Sequence, residues 1–238
     1  PPAESRFAPG CPQDKAPTTA DRMAIYTREA PPLGKSAARR AVTAYAEKNR
    51  VPIDEVLASI THLVVVSCTG FFAPGLDFVV ARALGLAPTV QRTLIGFMGC
   101  SAVFNGLRAA YQTVRSQPTA RVLVVSVELC SLHTQPNPSR EQLAAYALFA
   151  DGAAACLVGQ PQPAEGDFFR LESFHTSIKP ATQDEMVWTI GDYGFTLHLS
   201  PKIPQHLADI APVALQTLFP DSRPDLWAIH PGGRAIVD

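Results

Sequence analysis

A chain of 238 residues, 47% hydrophobic and 17% charged, is long and apolar enough to bury a sizeable core, so one large domain, or one and a fraction, is expected. The formal net charge of -1 provides no basic stripe to neutralise phosphates and no charge run to grip a lipid surface, so neither nucleic acid nor membrane is expected as a partner. The longest apolar stretches, such as 63–66 and 153–158, are strand-sized, far below the roughly 20 residues of a membrane span, and no basic start with an apolar run opens the chain, so a cytoplasmic location is expected.

Residues 1–32 are rich in proline (Pro1, Pro2, Pro9, Pro12, Pro17, Pro31, Pro32) with no sustained apolar period, and are expected to form an irregular arm. From Leu33 to Asn49, Ala38, Val42 and Tyr45 recur at helical spacing, which predicts an amphipathic helix. From residue 62 the chain alternates between apolar runs at 62–68, 92–98 and 121–128 and helical patterns after Pro74 and over Ala102–Ser116. These are two consecutive βαβ units, with three parallel strands covered on both faces. Pro74 is expected in the first turn of its helix and Gly85 at its C-terminal stop. A helix near 143–149 and strands at 151–159 and 168–174 follow. The fold class is α/β.

In an open parallel sheet, ligands bind beyond the carboxyl ends of the strands. That rim would be built by Ser67–Gly70, Gly99–Ser101 and Leu129–His133, and a cysteine stands in each segment: Cys68, Cys100 and Cys130. With Cys11 and Cys156 the count is odd and no CxxC pair occurs, so the thiols are expected to be reduced. Three rim thiols beside His133 could hold zinc, but such sites usually show paired local ligands, and no metal is expected. Cys68, Cys130 and Cys156 are expected to be small buried hydrophobes, as most unpaired thiols are. Cys100 differs in lying among Gly96, Gly99, Ser101 and Ala102 at the start of a helix, whose positive end favours a thiolate and should lower its pKa. Nucleophile and packing both remain open for it on these residues alone. Of six histidines, His230 is the best partner, because it ends the run DLWAI, expected to be a strand, and precedes the turn Pro231–Gly232–Gly233.

Four blocks, CTGFFAPGL (68–76), GFMGCSAVFNGL (96–107), LFADGAAACLV (148–158) and IHPGG (229–233), resemble in order and spacing the signatures of chalcone-synthase-like type III polyketide synthases. Around the histidine, Pro-Gly-Gly differs from the pattern of ketoacyl synthases. The resemblance implies a thiolase-like fold, mostly parallel with helices on both faces. It divides the chain into the arm 1–32, an N-terminal half at 33–165 carrying the nucleophile, and the start of a C-terminal half at 166–238.

It further implies that Cys100 accepts a starter from acyl-CoA and that His230 assists it and polarises malonyl-CoA, with no cofactor and with a homodimer as the assembly. Phe149 would separate the CoA tunnel from the cavity. Cys68, Ala73, Cys130, His133, Trp188 and Leu197 would shape that cavity, Trp188 by filling it, and Ala73 would lie near the dimer interface. The family's third catalytic residue, an Asn in a Gly-Asn block downstream of the His, is not among the 238 residues, and the second half is expected to be incomplete. The alternative expectation is an incomplete paralogue or fragment that binds acyl-CoA or a partner without turnover.

Overall fold

The protein is described by a computed structural model covering Phe7, residues 11–161 and residues 168–237. In chain order the elements are α1 (Thr19–Asn49), α2 (Ile53–Ala58), β1 (His62–Val66), α3 (Leu76–Leu84), β2 (Gln91–Ile95), α4 (Ala102–Ser116), β3 (Val122–Glu128), a single 3-10 turn (Cys130–His133), α5 (Arg140–Leu148), β4 (Gly152–Val158), β5 (Met186–Gly191), β6 (Gly194–Leu199), α6 (Ile203–Leu218) and α7 (Arg234–Val237). A further 3-10 turn, Gln13–Lys15, precedes α1. They group into two compact units, one of residues 20–132 and 150–170, the other of residues 1–19, 133–149 and 171–238.

The first unit is built on a four-stranded sheet of order β2-β1-β3-β4. As the βαβ pattern predicts, β1 pairs in parallel with both β2 and β3, whereas β4 runs antiparallel to β3 and makes the sheet mixed. Strand alternation assigns the faces. Val64 and Val66 on β1, with Val122 and Val124 on β3, form one core with Ala102, Ala110 and Val114 of α4. Leu63, Val65, Leu123, Val125 and Val127 occupy the opposite face and are almost fully buried. There Gly34 of α1 lies against Val125, Val127 and Val80 of α3. Helices therefore cover both faces.

α1 corrects the expected irregular arm. It is helical from Thr19 and runs through Pro31 and Pro32, although interior prolines remove hydrogen bonds and cost about 3 kcal/mol or more. Tertiary burial offsets that cost: Arg22, Tyr26, Ala30, Gly34, Ala38, Val42 and Ala46, every fourth residue, are all buried. Residues 1–6 and 8–10 of the expected arm lie outside the described residues.

Smaller corrections concern element ends. Pro74 stands before α3 rather than in its first turn; Gly75 is the N-cap, and Ala73–Pro74 is a cis peptide. Gly85 does end the helix, at φ 70°, a left-handed conformation that a glycine adopts without steric cost. β2 stops at Ile95, short of the expected 98, because the chain bends at Phe97 and Met98, with Phe97 at φ 54°. Residues 168–174 form no strand; they have no ladder partner among the described residues, and Phe169 is fully exposed. The run ending at His230 is not a strand either, for the same want of a partner, and its Leu226, Trp227 and Ile229 are exposed.

In the second unit β5 and β6 form an antiparallel hairpin with Asp192 and Tyr193 at its tip. α5 begins at a capping box in which Ser139 accepts the Gln142 N–H and Gln142 accepts the Ser139 N–H. The Gln142 side-chain amide then donates to the Leu197 carbonyl at 3.3 Å, tying α5 to β6. Among the described residues, no helix is long and apolar enough to cross a membrane.

Candidate active site

The parallel register of β1, β2 and β3 sends their carboxyl ends to one rim of the first unit. Cys100 occupies the turn from β2 into α4, where Gly99 takes φ 75° and accepts the Ala102 N–H at 3.0 Å. That positive φ favours a glycine in the position before the thiol. Cys100 is exposed, whereas Cys68 is buried in the core beneath α4, with its thiol directed at the Gly99 carbonyl, 3.8 Å away. The rim thus brings two of the predicted thiols to one turn. Cys130, in the turn after β3, is partly buried beside them.

A carboxylate absent from the expected residues organises this rim. Glu128, the last residue of β3, accepts the Cys68 N–H on both oxygens, at 2.9 and 3.1 Å, and the Thr69 hydroxyl at 2.7 Å. Thr69 Oγ in turn accepts the Leu129 N–H at 2.8 Å. Behind the same loop the buried Tyr26 donates its hydroxyl to Ser67 Oγ at 2.6 Å. Asp151, just before β4, accepts the Ser131 N–H and hydroxyl at 2.8 and 2.6 Å. The sequence carried a signal for Glu128: an ionisable residue ending an apolar strand at the ligand rim.

The electrostatics overturn one expectation. The Cys100 thiol is held above its ordinary value, not below it. Although the residue is exposed, protein atoms around the sulfur remove water from a thiolate, and Cys68 and Glu128 add to the rise; only its own backbone N–H opposes them. A helix start alone does not offset this desolvation. Burial, with Glu128 and Asp151, pushes Cys130 up to about 12, and burial with Glu128 also raises Cys68. Glu128 itself is raised by burial, against the pull of the donors from Thr69 and Cys68.

The remaining expected residues fall in the second unit, apart from Ala73, which is exposed in the loop before α3. Three of them converge. His133 is fully buried, stacked on Phe195 with ring centroids 4.1 Å apart and edge-on to Trp188 at 5.3 Å. Its Nδ1 accepts the Phe195 N–H at 3.0 Å, which puts the ring proton on Nε2. Trp188 faces Leu197 across the hairpin, so the two share a face with Phe195. Phe195 was missed because nothing in GFTLHL separates a wall residue from an ordinary strand residue. Phe149 is the partly buried C-cap of α5, extended at φ -89°. His230 is exposed, and its ring overlies Gly232, where a Cβ would stand 3.4 Å from Cδ2. Among the described residues, no group of three or more His, Cys, Asp or Glu is arranged to hold a metal ion.

The sheet and its two helical layers define an α/β protein, and known proteins give it a family. Residues 7–162 match the family described as “Chalcone and stilbene synthases, N-terminal domain”. Over 230 residues the chain is 34% identical to “Alpha-pyrone synthesis polyketide synthase-like Pks18” of Mycobacterium tuberculosis, covering 93% of this chain and 56% of that protein. The same figures hold for Pks18 of Mycobacterium bovis. The crystal structure of the C-terminal type III polyketide synthase domain of Steely1, a type I/III hybrid from Dictyostelium, matches with a TM-score of 0.78 at 30% identity, over 85% of this chain and 54% of that one. The chain therefore belongs to the chalcone and stilbene synthase family, the type III polyketide synthases. It spans about half the length of these relatives.

Proposed function

We propose that the protein is a type III polyketide synthase in which Cys100 is the acyl acceptor. The observation that carries this reading is the exposed thiol at a glycine-led strand-to-helix turn, on the carboxyl-end rim of a parallel sheet. The thiolate attacks the thioester carbonyl of an acyl-CoA, forming acyl-Cys100 and releasing the CoA thiol. Malonyl-CoA then loses carbon dioxide to give an enolate, which attacks the acyl thioester, forms the new carbon–carbon bond and returns the Cys100 thiolate. His230 has the role of sharing the thiol proton and then donating to the malonyl thioester oxygen as charge develops there. Residues 33–165 constitute the N-terminal thiolase-like half of this scheme and 166–238 the start of the C-terminal half.

Incubating the full chain with a set of acyl-CoA thioesters should add the acyl mass to the Cys100 peptide. No adduct with any of them would remove the enzymatic reading. It would leave the second one, an acyl-CoA- or partner-binding module without turnover, which the raised Cys100 pKa favours.

Phe149 is assigned to the boundary between CoA tunnel and cavity, and Cys68, Ala73, Cys130, His133, Trp188 and Leu197 to the cavity wall. The packing of Trp188 against His133 and Phe195 supports a rigid wall that limits product length. Trp188→Gly is expected to shift products toward longer chains in the full-length enzyme; an unchanged product profile would dispose of this role.

A homodimer is supported by β2, an edge strand whose Gln91–Leu94 are exposed, followed by the exposed Phe97 and Met98. Such an edge offers unpaired backbone groups to a second copy. Sedimentation should show a dimer that Leu94→Lys converts to monomer, and a monomeric wild type would sink the idea. A cytoplasmic location is consistent with five cysteines that form no disulfide among the described residues, and cell fractionation would check it.

A further inference from the structure

Glu128 has no part in the acyl-transfer scheme, yet more of the rim converges on it than on any residue named there. Its two oxygens take the Cys68 N–H and the Thr69 hydroxyl, and Thr69 closes the loop onto the Leu129 N–H. The chain after β1 is thereby fixed to the end of β3 at a point where the strand ladder has already ended. Held in this way, Cys68 directs its thiol at the carbonyl of Gly99, the residue before Cys100.

The ionisable groups facing this carboxylate come from every element around it. Tyr26 comes from α1, Cys68 from the loop after β1, Cys100 from the turn before α4 and Cys130 from the turn after β3; Asp151, before β4, acts on Cys130. None of these groups is a cation, so an anionic Glu128 is unfavourable to a thiolate at each cysteine.

We propose that Glu128 is a positioning residue for the Cys100 thiol: its carboxylate clamps the β1 loop to β3, seats Cys68 against the Gly99–Cys100 turn, and supplies the negative charge that Cys100 faces. This rests on the reading of Cys100 as the acyl acceptor. Glutamine at this position keeps an oxygen for the loop donors and removes the charge; alanine removes both. The clamp and the charge are thus separable.

The test follows alkylation of the full chain by iodoacetamide between about pH 6 and 9, with Cys100 and Cys68 peptides read by mass spectrometry. For Glu128→Gln, the Cys100 profile should move to lower pH, with alkylation at pH 7 faster by roughly threefold, while Cys68 stays as protected as in the wild type. For Glu128→Ala, Cys68 labelling should rise by roughly tenfold as the loop is released. A Glu128→Gln profile superimposable on wild type, or a folded Glu128→Ala protein with Cys68 still protected, would overturn the proposal. Should Glu128→Ala not fold, the Glu128→Gln profile decides alone. Acyl-CoA loading of the wild type is measured in parallel. A shifted profile without loading rejects the acyl-acceptor reading and keeps the clamp, whereas loading with an unshifted profile rejects the clamp alone.

Discussion

Serine in place of Cys100 should lower acyl transfer from acyl-CoA by at least about a thousandfold, with the fold intact. The substitution exchanges one small side chain for another at an exposed turn, so circular dichroism and melting should barely change. The proposed chemistry, by contrast, would lose its nucleophile, since a hydroxyl is far less acidic than even a thiol raised by its surroundings. Because that thiol is held above its usual value, wild-type loading should also climb as pH rises through the thiol's titration, and the serine variant should show no such climb. Loading on another residue in Cys100→Ser, at a rate close to wild type, would refute the assignment. Mass mapping would reveal this directly.

The second large effect concerns stability. Gly70 follows Thr69 in the loop between β1 and α3, and a Cβ built on it would fall well inside van der Waals contact with Cγ, Cδ1 and Cδ2 of Tyr26. That ring cannot easily step aside, since it is fully buried and its hydroxyl is bound to Ser67. Gly70→Ala is therefore expected to destabilise the protein by at least about 3 kcal/mol, at the upper end of overpacking costs. For a chain of this size that lowers the Tm by roughly 6–12 °C, measurable by calorimetry. A Tm within a degree of wild type would mean that the ring is not packed as described.

What the amino-acid order reveals divides along physical lines. β1, β3 and α4 were legible because each is specified by its own residues: continuous apolar runs for strands covered on both faces, and a 3.6-residue period for the helix. The start of α1 was not legible, because Pro31 and Pro32 argue locally for a break while the packing of Tyr26, Ala30 and Gly34 continues the helix. The hairpin β5–β6 escaped for a different reason: its period-two pattern is weak, with Thr189, Ile190 and His198 all exposed. Of the expected site residues, Cys100 and His230 could be named from short motifs. Glu128 left only the trace of an ionisable residue ending an apolar strand, and Tyr26 and Phe195 left none, since their importance lies in contacts between residues 41 to 62 positions apart in the chain, as Tyr26–Ser67, Thr69–Glu128 and His133–Phe195 show.

The reversed direction of β4 has a consequence for how the chain is routed. Because it runs against β3, its first residues stand at the level of Glu128 and its last at the level of Val122. Asp151 therefore reaches the rim from before a strand, whereas Cys68, Cys100 and Cys130 reach it from after one. The backbone then leaves the sheet at the opposite pole, where Gly159 and Gln160 gather with Ser59, Thr119 and Arg121. Polypeptide grafted directly after Gly159 would thus emerge a full strand length from Cys100, on the side that the chemistry leaves free.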